Sequence, residues 1–480
     1  MVTLSNRQAG RALGRRAFGG AVRRRAVGAA GVDHGVGLRA AFRVWATVAV
    51  NSFGGPAGQI AVMHRFLVEE RRWISEQRFL HALNFCMLLP GPEAQQLATY
   101  VGWLMHGNVG GVMAGVLFVL PGVVAILALS IVYALYGGVG VVSGLFFGLQ
   151  AAVVAVVVEA VLRIGKHALK TRAHVALAVA AFAAIFFVEL PFPVIVVAAA
   201  VIGYVAGRVR PELFRSAGHG SAVADFGPAL IGDDGAAISR ESSRSALAAA
   251  GVALVLWLTP VALLLLVASG SVYAQEATLF SQSAVVTFGG AYAVLAYIAQ
   301  QAVATYGWLR PGEMLTGLGM AETTPGPLIM VVQFVGFLAA YRNPGPLSPL
   351  TAGIIGSLLT TWVTFAPCFF FILAGAPFIE RLRGNRSLST ALSAITAAVV
   401  GVVLNLAVWF ALNTAFNQVD TTHRYGVRLL VPQLSSVNVA AVTITGVALV
   451  AIFRLKASVM KTLAVCAGLG LLVAVTVGTP

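Results

Sequence analysis

Glycine and proline motifs that break helices occur twice in this chain, and both copies lie inside apolar stretches. Three landmarks recur at an interval of 235 residues: Phe53-Gly54-Gly55 as Phe288-Gly289-Gly290, Trp73 as Trp308, and Pro90-Gly91-Pro92 as Pro325-Gly326-Pro327. Three landmarks in one register indicate an internal duplication. Broken helices at membrane depth are tolerated only where the backbone lines a cavity or is buried in protein. Paired breaks in two halves therefore indicate a binding site within the membrane.

The composition is that of a membrane protein. Hydrophobic residues make up 59% of the 480 positions, charged residues make up 10%, and the mean hydropathy is +0.88. Soluble domains carry about 25% charged residues, so the sequence predicts an all-α polytopic protein in a lipid bilayer. The net charge of +15 could attract nucleic acid. Lys and Arg lie in short loops between apolar runs, however, which is typical of topology signals, and we expect no nucleic-acid binding.

The apolar runs divide the chain into five regions. They are a basic disordered cytoplasmic tail at 1–36, a first repeat at 37–207, a polar cytoplasmic linker at 208–244, a linking transmembrane helix at 245–275, and a second repeat at 276–480. The tail is rich in Arg and lacks the apolar core of a secretory signal. An organelle transit peptide, or a start site placed too early, are the alternatives for this tail.

The distribution of Lys and Arg predicts which segments cross the bilayer. If each Phe-Gly-Gly and each Pro-Gly-Pro segment enters and leaves on one side, the cytoplasmic loops hold nineteen Lys and Arg, and the outer loops hold four. This asymmetry agrees with the preference of basic residues for the cytoplasmic side. The arrangement has nine full spans and four re-entrant pairs, and its two repeats are inverted. A version with thirteen counted segments has the same inversion, and the sequence does not choose between them.

The Phe-Gly-Gly segments are candidates for an anion site. Adjacent glycines permit backbone conformations closed to other residues, and a proline after them suits the first turn of a new helix. A helix that starts within the membrane leaves free N–H groups and a positive dipole end, which favour an anion. The alternative is a glycine pair that lets two helices pack closely. The candidates are Asn51, Ser52, Phe53, Gly54, Gly55 and Pro56 in the first copy, and Thr287, Gly289 and Gly290 in the second.

The Pro-Gly-Pro segments are the second set of candidates. Two prolines around a glycine cannot continue a helix, and a tight turn between two spans is the simplest reading. Polar residues flank both copies, however, and polar groups at membrane depth usually face a pathway. Hydroxyl, amide and freed backbone donors would suit a tetrahedral oxyanion. The substrate-binding candidates are Pro90, Gly91, Pro92, Gln95 and Gln96 in the first copy, and Thr323, Thr324, Pro325, Gly326 and Pro327 in the second.

Charged residues accompany both motifs. Glu93 and Glu322 adjoin the Pro-Gly-Pro segments and are candidates for proton coupling, because a carboxyl group removed from water readily holds a proton. The alternative is an interfacial carboxylate bound to nearby N–H groups. Arg71, Arg72 and Trp73 follow the first Phe-Gly-Gly segment. They either attract an oxyanion, as Arg does through paired hydrogen bonds, or anchor the topology at the interface.

Signatures of enzymes and cofactors are missing from the sequence. We find no GxSxG, no HExxH, no phosphate-binding P-loop, and no GxGxxG after a strand-like run. Cys86, Cys368 and Cys466 are scattered within apolar runs, so they fit buried small hydrophobes better than a metal site or a disulfide framework. The sequence therefore predicts a non-enzyme without metal or cofactor. The oligomeric state stays open, a homo-oligomer included.

The residues around these motifs closely resemble the chromate ion transporter family in its long two-domain bacterial form. The resemblance covers nearly the whole chain after Gly37, and its signatures occur in the family's order. It is carried by the runs Phe53 to Trp103, Gly110 to Gly122, Thr287 to Val303, and Gly319 to Phe337. One departure is Phe66, which follows His64-Arg65 where the resemblance implies an acidic residue.

The resemblance implies export of chromate from the cytoplasm across the bacterial inner membrane by a multi-pass protein. It also implies that the proton gradient drives transport and that sulfate is a related oxyanion, so a sulfate or mixed-oxyanion transporter is the alternative. The positions carried over are Phe53–Pro56, Arg71–Trp73 and Leu89–Pro92 in the first half, and Thr287–Gly290 and Glu322–Pro327 in the second.

Overall fold

The structure, a computed structural model, describes residues 35–209, 228–232, 240–288, 290–378, 386–424 and 427–476. The predicted tail at 1–36 and the predicted linker at 208–244 lie mostly outside the described residues, and Gly289 lies outside them as well.

The first half consists of helices of very different length. In chain order they are α1 (Leu38–Asn51), α2 (Gly55–His64), α3 (Glu76–Cys86), α4 (Glu93–Tyr136), α5 (Gly140–Ala168), α6 (Arg172–Val188) and α7 (Phe192–Val209). A π-helical segment, Arg65–Glu70, continues α2. The helix α8 (Arg240–Val267) follows and connects this half to the next.

The second half repeats this order. Its helices are α9 (Val272–Val286), α10 (Ala291–Gln300), α11 (Glu313–Thr323), α12 (Val331–Arg342), α13 (Pro349–Gly375), α14 (Arg386–Ala415), α15 (Val439–Leu449) and α16 (Val459–Thr476). A π-helical segment, Gln301–Thr305, continues α10 as its equivalent continues α2. The equivalent amides of Trp73 and Trp308 donate to the carbonyls of Leu67 and Ala302, each at 2.8 Å.

The described residues form an all-α polytopic membrane protein. Seven helices among them are long and apolar enough to cross a bilayer, and three shorter apolar helices accompany them. Two predicted spans belong to this shorter class, because α6 ends in a left-handed Glu189 and α15 passes into a π-helical segment at Val450–Arg454. The sequence predicts only helices and loops, but β1 (Val419–Arg424) and β2 (Val427–Pro432) form an antiparallel hairpin.

The helices around the glycine and proline motifs are short. The helices α1, α2, α3, α11 and α12 have 10 to 14 residues, whereas a full crossing needs about 20. In the first half, the last short helix is joined to the following span as α4, and the backbone breaks where they meet. There His106 has φ −133° and Gly107 has φ +61°. The short lengths fit helices that enter the bilayer only part of the way.

The two halves are interlocked through contacts between small residues. On α5, a Cβ on Gly148 would overlap the carbonyl oxygen of Cys466 on α16. In the equivalent pairing of α7 with α14, a Cβ on Gly203 would lie 2.5 Å from the Cβ of Ala394. Small residues let membrane helices approach closely and gain packing contacts. The last helix of each half therefore packs against a long helix of the other half.

Opposite orientation of the two halves predicts opposite labelling of equivalent loops. We expect Cys at Arg71 to react with an impermeant thiol reagent only from the cytoplasmic side, and Cys at Arg310 only from the outside. Both positions are exposed, and the native Cys86, Cys368 and Cys466 are buried, which keeps the background low. Labelling of both positions from one side would contradict inverted repeats.

Candidate functional site

Two equivalent backbone hydrogen bonds join the halves at the helix breaks. The amide of Gly91 donates to the carbonyl oxygen of Thr287 at 2.8 Å, and the amide of Gly326 donates to that of Ser52 at 2.9 Å. In each bond, a Pro-Gly-Pro glycine of one half meets the residue before the Phe-Gly-Gly segment of the other. We call the Gly91–Thr287 bond the first crossing and the Gly326–Ser52 bond the second crossing.

The glycines at the crossings adopt backbone conformations that other residues avoid. Gly91 has φ +122° and Gly326 has φ +115°. Space is also restricted, because a Cβ on Gly91 would lie 2.8 Å from Nε2 of Gln96, and a Cβ on Gly326 would lie 3.0 Å from Cα of Gly122. Both crossings therefore require glycine for its backbone freedom and for its lack of a side chain.

A short helix starts beside each crossing without a side-chain cap. The helix α2 starts after Gly54, which is left-handed with φ +80°, and has a proline in its first turn. The helix α10 starts after Gly290, which has φ +115°. An uncapped start leaves first-turn N–H groups without intrahelical acceptors and carries the positive end of the helix dipole. Each crossing thus adjoins a set of backbone donors suited to an anion.

The carboxylates of Glu93 and Glu322 lie next to these helix starts. A Cβ on Gly55 would lie 3.9 Å from both carboxylate oxygens of Glu322, and a Cβ on Gly290 would lie 4.0 Å from Oε1 of Glu93. Each carboxylate therefore faces the Phe-Gly-Gly segment of the other half. Within the described ranges, neither forms an ion pair. The positive end of each helix dipole and its free N–H groups therefore lie beside a carboxyl group of the other half.

The hydroxyl groups near the crossings donate their hydrogens to their own helices. Ser52, Thr287, Thr323 and Thr324 each donate to the carbonyl oxygen four residues earlier, at 2.7, 2.5, 3.0 and 2.9 Å respectively. Their oxygens remain available only as acceptors. In this conformation these four hydroxyl groups do not donate to an oxyanion, whereas the first-turn N–H groups of α2 and α10 are suited to do so.

Of the side-chain amides among the predicted residues, that of Gln96 braces a break and those of Gln95 and Asn51 bond within their own helices. Nε2 of Gln96 donates to the carbonyl oxygen of Pro90 at 2.6 Å, and Nε2 of Gln95 donates to Oγ1 of Thr99 at 3.2 Å. Asn51 is exposed and donates to the carbonyl oxygen of Thr47. The other predicted residues shape the backbone: half-buried Phe53, Pro56 in the first turn of α2, Pro92 before α4, Pro325 beside Gly122, and Pro327 before the 3₁₀ turn Leu328–Met330.

Two residues at the crossings were not among the candidates. Nε2 of Gln59 donates to the carbonyl oxygen of Gly326 at 2.6 Å, which ties α2 to the second crossing. The hydroxyl of Tyr292 donates to Oε1 of Glu322 at 2.5 Å. Gln59 is a buried polar residue in an apolar run, a signal that could have identified it. Tyr292 carries no such signal, because tyrosine is common in membrane helices.

The Arg-Arg-Trp segment lies away from the helix breaks, in the loop after Arg65–Glu70. Arg71 and Arg72 are exposed and Trp73 is buried. The carbonyls of Arg72 and Trp73 accept hydrogen bonds from the amides of Leu230 and Ile231, at 2.9 and 3.0 Å. This segment therefore holds the described part of the predicted linker against the first half.

The broken helices and their crossings fit a membrane transporter, and a comparison with known protein families agrees. The family model described as chromate transporter matches residues 39–204 and 274–471, which together are most of the chain. The protein belongs to the chromate transporter family. Each of the two matched regions contains one Phe-Gly-Gly segment and one Pro-Gly-Pro segment, so the crossings join the two regions that the family model matches.

Individual relatives cover about three quarters of the chain. A chromate transport protein of Pseudomonas aeruginosa is 33% identical in an alignment of length 363 that covers 73% of this chain and 76% of the relative. A probable chromate transport protein of Synechococcus elongatus is 28% identical, and the match covers 73% of this chain and 79% of the relative. An uncharacterised transporter of Methanocaldococcus jannaschii is 26% identical, and the match covers 75% of this chain and 81% of the relative. No solved structure matches the chain. The protein is thus a multi-pass bacterial membrane protein of a transporter family.

The crossings predict a specific effect of substitution at Gly326. We expect Gly326→Ala to lower transport at least about tenfold, because the new Cβ would disturb both the positive φ and the contact with Gly122. Gly345→Ala is a matched control, since Gly345 also has a positive φ, +58°, but no atom within 4 Å of its Cβ position.

The measurement is the uptake of labelled chromate by inverted membrane vesicles, normalised to the amount of inserted protein. Equal transport by Gly326→Ala and Gly345→Ala would contradict a functional role for the second crossing.

Proposed function

We propose that this transporter exports chromate from the cytoplasm across the bacterial inner membrane in exchange for protons. The observation that carries the proposal is the pair of uncapped helix starts, α2 and α10, each beside a helix break. Relatives described as chromate transport proteins support the choice of substrate. The substrate site we propose comprises the two crossings and the first-turn amides of both helices.

Chromate suits such a site because it is a tetrahedral dianion with an acceptor at every corner. Backbone N–H groups can satisfy those acceptors without the strong attraction of a buried Arg or Lys. A transport site must bind its ion firmly enough to admit it and weakly enough to release it. Sulfate has the same shape and charge, so backbone donors alone discriminate poorly between the two. A sulfate or mixed-oxyanion transporter is therefore the second candidate.

The membrane potential favours outward movement of a dianion. Moving one charge through 100 mV is worth about 2.3 kcal/mol, so a dianion that leaves a negative interior gains about 4.6 kcal/mol. Proton entry in exchange would add the pH gradient to this driving force. Export against a concentration gradient is therefore energetically accessible without ATP.

We further propose that the charge on Glu93 and Glu322 controls anion access. As carboxylates, both compete with an oxyanion for the same helix starts and repel it. Once protonated, each becomes a neutral group that can donate a hydrogen bond to the oxyanion. These protons therefore bind together with the oxyanion and set the affinity of the site for it. Protons that bind with the oxyanion are not sufficient for an exchange of protons against it.

The test is accumulation of labelled chromate in inverted membrane vesicles, with and without an imposed proton gradient and with sulfate as competitor. We expect accumulation that an uncoupler abolishes and that sulfate reduces. Vesicles lacking the protein are the control. Uptake of sulfate with no uptake of chromate, by protein shown to be folded, would favour the second candidate. Uptake of neither would contradict the proposal.

Substitution of Glu322 should change how chromate binding depends on pH. The affinity of the native protein should fall as the pH rises, because Glu322 becomes charged beside the start of α2. We expect Glu322→Gln to bind chromate about tenfold more tightly, about 1.4 kcal/mol, at the alkaline end and to converge with the native protein at acid pH. Both proteins meet the same forms of chromate at each pH, so their difference reports on Glu322.

The measurement is chromate affinity of purified protein across the pH range. Glu70→Gln is the control, because Glu70 is exposed and pairs with Arg65 on the surface. Identical pH profiles for the native protein and Glu322→Gln would show that Glu322 does not face the oxyanion.

A further inference from the structure

A second buried carboxyl group lies away from the crossings, on α9. Glu276 has no exposed surface, and neither of its carboxylate oxygens has a hydrogen-bond partner. Oε1 lies 3.0 Å from the position that a Cβ on Gly356 would occupy. The carboxyl group therefore occupies the space that this glycine leaves open on α13.

Unpartnered hydroxyl groups also lie on the two helices that make this contact. The side-chain oxygens of Ser357 and Thr360 on α13, and of Ser283 on α9, are buried and have no hydrogen-bond partner. The hydroxyl of Thr360 lies against Gly336 of α12, and a Cβ on Gly356 would lie 2.8 Å from the carbonyl oxygen of Gly336. Buried polar groups are nearly always paired in proteins, so the unpaired carboxyl group of Glu276 and these unpaired hydroxyls mark the contact between α9 and α13 as a place that takes a ligand.

No described cation neutralises Glu276. The helices packed against α9 are α8, α10, α12 and α13, and neither α10 nor α13 contains an Asp, Glu, Lys or Arg. On α12, Arg342 binds Glu313, and the described charged side chain of α8, Arg244, is exposed at its start. The titratable groups on these four elements and on α9 itself are Tyr273, Tyr292, Tyr297, Tyr341 and Cys368. An ionised carboxylate here would be buried without compensation.

We propose that Glu276 binds and releases the proton that is exchanged for the oxyanion. In the described conformation the carboxyl group carries its proton and is neutral, because an ionised carboxylate buried here without a cation or a hydrogen-bond donor would be strongly destabilised. Release of the proton creates a charge that has to reach water, so α9 has to move. This inference rests on the proposed function, and it supplies what Glu93 and Glu322 lack, namely a proton site separate from the anion site.

The helix α9 connects this site directly to the first crossing. Glu276 lies near the start of α9, and Thr287, the acceptor of the first crossing, caps its end. Eleven residues of helix span about 16 Å and move as a rigid element. Displacement of α9 on proton release therefore strains the Gly91–Thr287 bond. The position equivalent to Glu276 in the first half is Ala41, so the proton site belongs to the second half alone.

The test separates exchange of substrate from coupling to the proton gradient in proteoliposomes. Glu276→Gln introduces a permanently neutral side chain. In the absence of gradients, we expect this variant to exchange labelled chromate at a rate within about threefold of the native rate. We expect it to lose gradient-driven accumulation at least about tenfold. Glu70→Gln, a surface substitution, should keep both activities.

Gradient-driven accumulation at the native level by Glu276→Gln would overturn the proposal, as would accumulation that follows a sodium gradient. Loss of exchange by both Glu276→Gln and Glu276→Asp would also overturn it, because the residue would then be needed for the fold or for the anion.

A readout independent of substrate is the infrared carbonyl band of a protonated carboxyl group in the native protein. We expect Glu276→Gln to remove one such band, and an unchanged spectrum would show that Glu276 carries no proton. If the native protein exchanged no chromate yet lost this band on substitution, the proposed substrate would be wrong and the proton site would stand.

Discussion

The pairing of backbone groups where the helices break is the constraint on which the site depends. A bilayer offers no water to an N–H or C=O that has left a helix, so each such group must find a partner within the protein. Here the partners come from the other half, through Gly91 with Thr287 and Gly326 with Ser52. The breaks that form the candidate binding site therefore also supply contacts that hold the halves together. Movement of one half against the other has to act on these bonds.

Electrostatics at the crossings sets the sign of any coupling to protons. The starts of α2 and α10 attract negative charge, and in the described conformation the nearest candidates are Glu93 and Glu322. Under the proposed function, a proton on either residue makes room for an oxyanion, so these protons bind together with the substrate. Exchange in opposite directions requires a proton site elsewhere, whose occupancy acts on the crossing through the structure. The position of Glu276 on the helix that ends at Thr287 meets that physical requirement.

The sequence alone identified both sets of helix-breaking motifs but not their partners. The offset of 235 residues predicts that Gly91 and Gly326 are equivalent, and the structure confirms equivalent hydrogen bonds. The offset does not predict that each motif forms its hydrogen bond with the other half of the chain. The carboxylates illustrate the difference, since Glu93 follows its motif and Glu322 precedes its own. They occupy different positions in the repeat, yet both lie against a helix start of the opposite half.

What the sequence determined by itself is what depends on local chemistry. Apolar runs, proline and glycine breaks, and the scarcity of charge require helices in a bilayer with interruptions at fixed positions, because these properties belong to each segment alone. The tertiary structure decided which groups meet. The bond from Gln59 to Gly326, the approach of Glu93 and Glu322 to the opposite half, and the isolation of Glu276 all depend on the packing of helices distant in sequence. A side chain's partners are set by the space between such helices, and no local pattern in a single segment encodes that space.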